Sequence, residues 1–184
     1  LLPLKVGELT ASLVNNELNI CNEGEATVTV KWPNDVLVDG KKISGTLIEN
    51  ASNWFLIGIG INVAHAPTVP TTGANYGRPS VSLDNYGDTG DTEERNKKAR
   101  EMGVELALSF HRWIYEEDSD TAETIVEGWK RWLNWDTELT MRNDDDRDAP
   151  RRVVKLLDVL PDGRIKVANK VDGKEEILVS DYFV

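Results

Sequence analysis

The sequence holds one cysteine, Cys21, and two histidines, His65 and His111, in 184 residues. One thiol cannot form an intrachain disulfide, a CxxC redox pair or a thiolate metal site. Two histidines supply a His-based triad or a zinc site poorly. No run of about 18 apolar residues occurs, so no segment is expected to span a bilayer, and no membrane partner is expected. A basic stretch followed by an apolar one, the mark of a secretory signal, is missing at the start. Positive charge is short as well: 21 Lys and Arg face 32 Asp and Glu, for a net charge of −11. A nucleic-acid surface needs a basic stripe, so no DNA partner is expected. A nucleotide substrate is still allowed, because one pocket lysine can outweigh a distant acidic surface. An enzyme of this composition would work with lysine, carboxylates, amides and backbone donors. An initiator methionine is also lacking, and the sequence reads as one whose beginning lies upstream of Leu1.

Hydrophobic residues at 40% and charged residues at 29% suit a packed core. Val6, Leu9, Leu13 and Leu18 fall near helical spacing, which predicts a helix over 4–18. Glu23-Gly24-Glu25 reads as a turn. Val28 to Trp32 is β-rich, and Pro33-Asn34-Asp35 ends that strand. Val36 to Val38 resumes it, Asp39-Gly40 signals a hairpin, and the partner strand runs from Lys42 to about Glu49. After a turn at 50–53, Trp54 to Val63 forms another strand, so 28–63 reads as an antiparallel meander. Residues 64–92 are loop-like. A helix over 93–117 would turn Ala99, Met102, Leu106, Phe110, Trp113 and Ile114 to one face. A second helix over 120–134 follows, with Trp129, Trp132 and Trp135 packing helix to sheet. Residues 142–151 form a charged break. Short strands at 153–159, 165–168 and 176–179 then predict a small, partly open barrel of about five strands.

Three segments carry groups able to do chemistry. Lys31-Trp32-Pro33-Asn34-Asp35 places a cation, an amide and a carboxylate on a rigid turn; the same residues also suit a solvated strand end. In the hairpin, Lys42 and Ile43 point to opposite faces, and Gly45 suggests a bulge or the close approach of a ligand. On pattern alone, Lys41 and Lys42 read first as surface lysines at a hairpin tip. Gly58 and Gly60 leave two bare positions on one face of a strand, followed on that face by Asn62. Small residues where a helix crosses the sheet would look the same. The GxG here is not a dinucleotide fingerprint, since no helix follows it.

Taken together, KWPNDV, the DG hairpin, Lys42 three residues before Gly45, and the strand ending GIGINV closely resemble the biotin–protein ligase family. The resemblance covers about 1–135 as part of the catalytic domain. Residues 136–184 are more loosely similar to the small SH3-like domain that follows it. It implies an α+β fold: a class II synthetase-like sheet backed by helices, then a small all-β domain. It also implies ATP-dependent joining of biotin to AMP with Mg2+, then transfer to a lysine of a carboxylase's biotin carboxyl carrier domain. A cytoplasmic location is expected, with any organellar address upstream, and a homodimer is compatible with this reading.

By the same resemblance, Lys42, Asp35 and Lys31 are the catalytic residues. Lys42 would meet the biotin carboxylate and later the adenylate, Lys31 would help hold phosphate, and Asp35 would face the incoming lysine. Gly45, Gly58, Gly60, Asn34, Asn62 and Trp32 would join Lys42 in binding biotin and the adenylate, with Asn62 also near Mg2+. The family's Gly/Arg-rich GRGRxGxxW loop, which precedes this helix, is not among the 184 residues. Neither are the upstream Ser/Thr and Gln that contact biotin's ureido ring. The isolated chain is therefore expected to bind biotin poorly. The rival readings are a lipoate or octanoyl transferase of the same fold and a non-catalytic scaffold that keeps the sheet alone.

Overall fold

The computed structural model describes residues 1–22, 26–70, 77–87, 89–116, 120–141 and 152–179. The turn expected at Glu23-Gly24-Glu25 and the charged break at 142–151 lie outside them. Helix α1 (Leu2–Asn22) is longer than its apolar spacing predicts. It buries Leu4, Val6, Ala11, Val14 and Leu18, each worth up to about 1.5–3 kcal/mol for a large aliphatic chain. This buried stripe lies on the first sheet and meets both later helices.

That sheet is antiparallel, in the order β1 (Val28–Lys31), β2 (Asp35–Val38), β3 (Lys41–Ala51), β4 (Trp54–Ile61). Val28 pairs with Val38 and Val30 with Val36, which puts four buried valines on the face toward α1. Lys31 pairs with Asp35 on the opposite face. Asp39 (φ 48°) and Gly40 (φ 75°) are both left-handed, as a tight hairpin turn requires. Strand β4 forms the edge and exposes Trp54, Phe55 and Leu56.

Helix α2 (Thr92–Tyr115) starts at an Asp91 cap that accepts from the amides of Glu93 and Glu94, while Glu94 accepts from Asp91 N–H. Met102 and Leu106 are buried, and Phe110 and Trp113 half so. Ala99 and Ile114, expected on the same face, are exposed. The helix's main packing partner is α1, so only a narrow stripe is covered. Helix α3 (Ala122–Lys130), capped by Thr121, stops short of the expected 134. Trp129 is fully buried and Trp132 half-buried, but Trp135 is exposed, contrary to expectation. Past α3, Trp132 C=O accepts from Val30 N–H at 2.9 Å, so this segment borders β1.

The second sheet is also antiparallel: β5 (Glu138–Met141), β6 (Arg152–Val159), β7 (Ile165–Asn169), β8 (Glu175–Leu178). About five strands were expected; the described residues form four. Leu139, Val154, Leu156, Val159, Ile165 and Val167 are its buried residues. Two polar contacts join the second sheet to the rest of the fold, one from the turn after β1 and one from α3. The Trp32 indole N–H donates to Gly163 C=O at 3.2 Å, and Lys130 pairs with Asp158 at 2.9 Å. Among the described residues no helix is long and apolar enough to cross a membrane.

Candidate active site

The site lies on the face of the first sheet away from the α1 valines. Trp32-Pro33-Asn34 turns between β1 and β2, with a cis Trp32–Pro33 peptide. Asn34 stitches the turn to β3 twice. Its side-chain N–H donates to Thr46 C=O at 2.7 Å, and its own C=O accepts from Thr46 N–H at 3.0 Å. Asp35 then opens β2 directly opposite Gly45.

A bulge in β3 decides where Lys42 points. Val36 pairs with Ser44, but the next residue, Leu37, pairs with Lys42, so Ile43 is supernumerary. Lys42 and Gly45 are three apart, and in a regular strand they would face opposite ways. The extra residue restores them to one face. Lys42 Nζ accordingly lies 2.5 Å from Asp35 Oδ1, with Lys42 half-exposed and Asp35 more covered. A Cβ on Gly45 would fall 2.8 Å from Lys42 Nζ and 3.6 Å from Asp35 Oδ1. The ammonium occupies the space that a side chain at 45 would take.

Gly60 pairs with Gly45, and Gly58 with Leu47. The bare backbone floors an open cleft of about 590 Å³ bounded by Asn34, Lys42, Gly45, Leu47, Gly58 and Gly60. A flat ring can lie there against main chain. Six of the nine residues expected from the sequence thus converge: Lys42, Asp35, Asn34, Gly45, Gly58 and Gly60.

Of the other three, Trp32 and Asn62 stand elsewhere and Lys31 borders the site. Trp32 is not in the cleft. It is buried, and its indole N–H reaches Gly163 of the second sheet, so it anchors the turn from behind. Asn62 braces the loop: its amide N–H groups donate to Val81 C=O at 3.0 Å and Lys42 C=O at 3.5 Å, and the residue is not among those lining the cleft. Lys31 stands beside the cleft, half-buried. Burial lowers its proton affinity below the usual lysine value; the charges of Arg78 and Lys42 add to this, and Asp35 opposes it.

Arg78 has no counterpart among the residues picked from the sequence. The loop limb carrying it runs alongside β3. Lys42 N–H donates to Pro79 C=O at 2.8 Å, and Val81 N–H donates to Lys42 C=O at 2.9 Å. Arg78 Nη1 donates to Gly40 C=O at 3.0 Å. Lys31 thus feels two other cations, Lys42 and Arg78, and one carboxylate, Asp35, within a strongly acidic chain. Such a cluster attracts anions. His65 is exposed on a separate cleft of about 490 Å³ that includes Pro67, Ser80 and Asp84.

Residues 6–64 match the model of the Biotin/lipoate A/B protein ligase family. The matched stretch takes in α1 from Val6 onward, the whole first sheet and the residues of the glycine-floored cleft. The chain is 33% identical over 111 residues to the biotin–[acetyl-CoA-carboxylase] ligase of Paracoccus denitrificans, a match covering 56% of this chain and 42% of that protein. The fold resembles biotin protein ligase from Leishmania major in complex with biotin, with TM-score 0.60 and 24% identity over 98% of this chain and 71% of that one. It also resembles the Aquifex aeolicus enzyme in complex with biotin and ATP, with TM-score 0.55 and 19% identity over 96% and 72%. The chain spans less than half the length of that curated relative.

Proposed function

We propose that the chain is part of an ATP-dependent biotin–protein ligase, with residues 1–135 in its catalytic domain and 136–184 forming a small β domain. The observation that carries this is the Lys42–Asp35 pair seated over Gly45 at the glycine-floored cleft. In the first step a biotin carboxylate oxygen attacks the α-phosphorus of ATP. A P–O bond forms, and the bond to the leaving pyrophosphate breaks. Both reactants are anionic, so a cation at the junction lowers the barrier. Lys42 reaches that junction by leaving Asp35 and turning to the carboxylate and α-phosphoryl oxygens, while Lys31 adds positive field from the strand beside it.

The exchange of partners prepares the second step. Once Lys42 is drawn to the adenylate, the Asp35 carboxylate is released. An acceptor lysine attacks the acyl carbon, a C–N bond forms, and the C–O bond to AMP breaks. Asp35 receives the proton that the amine sheds. Gly45, Gly58 and Gly60 admit the ring system, and Asn34 holds the turn in register. The acceptor in this reading is the carboxyl carrier domain of a carboxylase.

Mg2+ bound with the triphosphate would supply further charge neutralisation. Among the described residues no cluster of three or more His, Cys, Asp or Glu could cage a cation. That fits an ion carried mainly by phosphates and waters. Asn62 commits its N–H groups to backbone carbonyls, so its Oδ1 is the atom it would offer to such an ion.

The test is biotin-dependent ATP–pyrophosphate exchange by the full-length protein. Wild type is expected to exchange, and Lys42→Ala to lose exchange by about a hundredfold or more, since one preorganised charge-stabilising donor is worth that much. Exchange that survives Lys42→Ala unchanged would sink the role of Lys42.

A further inference from the structure

Arg78 reaches the hairpin that carries Lys42 by a route that no local motif announces. Its neighbour Pro79 and the nearby Val81 pair with the backbone of Lys42, and the Asn62 amide clamps Val81 from the other side. The limb is thus fixed against the strand that carries Lys42. The guanidinium is steered to the hairpin by its bond to Gly40 C=O. That bond uses one of five N–H donors. Among the described residues no carboxylate forms an ion pair with Arg78.

The charge balance is uneven. Asp35 pairs with Lys42, while Lys31 feels Lys42 and Arg78 as like charges. Holding like charges together in a partly buried site costs free energy, and an arriving anion relieves it. A guanidinium cannot escape by losing its proton, whereas a lysine can. Arg78 is therefore the permanent charge of the group. Its planar fork also matches an oxyanion better than an ammonium does.

We propose that Arg78 is a phosphate-binding residue of this site, holding the diphosphate end of the nucleotide while Lys42 works at the α-phosphorus. This rests on the ATP-dependent reading above and assigns it a residue outside the matched family segment, which ends at residue 64.

The test has two arms. In the first, inorganic pyrophosphate is titrated calorimetrically into wild type, Arg78→Gln, Arg78→Lys and Lys97→Gln. Lys97 is an exposed cation of α2 and controls for net charge. Arg78→Gln should weaken binding about tenfold or more, the size of a lost charge-assisted hydrogen bond. Arg78→Lys should recover part of the loss, and Lys97→Gln should match wild type. An Arg78→Gln value equal to wild type, an equal loss in Lys97→Gln, or no pyrophosphate binding by wild type would each overturn the proposal.

The second arm measures exchange by the full-length protein. Arg78→Gln should raise KM for ATP and leave KM for biotin unchanged; a rise for biotin instead would overturn the phosphate assignment. The two readings fail differently. If Arg78→Gln behaves as wild type while Lys42→Ala is inactive, the ligase reading stands and this proposal falls. If Lys42→Ala retains full exchange, the ligase reading itself falls.

Discussion

Gly45 shows how one missing side chain can carry a function. The residue is flanked by Asp35 on β2 and Gly60 on β4, and the Lys42 ammonium lies over its Cα. A methyl group there would meet the end of a flexible lysine chain and not backbone. The protein should therefore fold, at a cost near the ordinary range for a single substitution, about 1 kcal/mol. The lysine, however, must move off Asp35. Gly45→Ala is expected to shift the melting temperature by only a few degrees while cutting exchange at least about tenfold, since angstrom-scale misplacement is costly in catalysis. Parallel loss of stability and activity would show that Gly45 serves packing alone. The sequence flagged Gly45 because a glycine inside a strand is unusual. It was silent on Arg78, whose placement depends on backbone pairing between residues 79–81 and 42, nearly forty positions apart.

Among the elements, the strands were the most legible, since β-branched runs and the Asp39-Gly40 turn signal them locally. Gly45 signals a bulge in β3, but the ladder places it two residues earlier, at Ile43, because nothing in Lys42-Ile43-Ser44 distinguishes a supernumerary residue from a regular one. The helices were legible as helices, but their contacts were not. Where α1 crosses α3, Gly7 lies against Trp129 and Gly128 against Glu8, so two glycines permit the close approach. A charged cluster sits beside this crossing. Lys5, nearly buried in α1, pairs with Glu8 at 3.3 Å and with Asp120, ahead of α3, at 2.9 Å. The Lys5 hydrogen bond holds the Asp120 carboxyl below its ordinary value, with burial opposing. Burial pushes Glu8 the other way, against the pull of Lys5. A depressed carboxyl stabilises the fold above its unfolded pKa, and that contribution fades as pH falls through the folded value. A raised one contributes at low pH and loses it as pH rises, so Glu8 partly offsets Asp120. Asp120→Asn should lower the melting temperature at pH 7 and flatten its decline below about pH 4. Thermal melts from pH 3 to 7 would measure this, and identical acid slopes in both proteins would refute it.

At the scale of the whole molecule, the Trp32-Pro33-Asn34 turn links the first sheet to the second. Trp32 shares that turn with Asn34 and Asp35, and its indole N–H ends on Gly163, between β6 and β7. Its partner lies 131 residues away, which is why the KWPND string read as a ligand-binding tryptophan and not as an anchor. Trp32→Phe keeps most of the buried ring and deletes the donor. It should cost about 1 kcal/mol, the net worth of one buried hydrogen bond. It should also speed amide exchange in β6 and β7 more than in β1 to β4. Uniform acceleration across both sheets would mean that the contact has no part in docking the second sheet.

The bulge at Ile43 has a consequence for anyone transplanting this site. Lysine and glycine stand at an odd spacing, which only an irregular ladder can bring to one side. Grafted onto an ideal hairpin, the same string would send its cation into the core. A designer would have to shift the lysine by one position or copy the defect along with the motif.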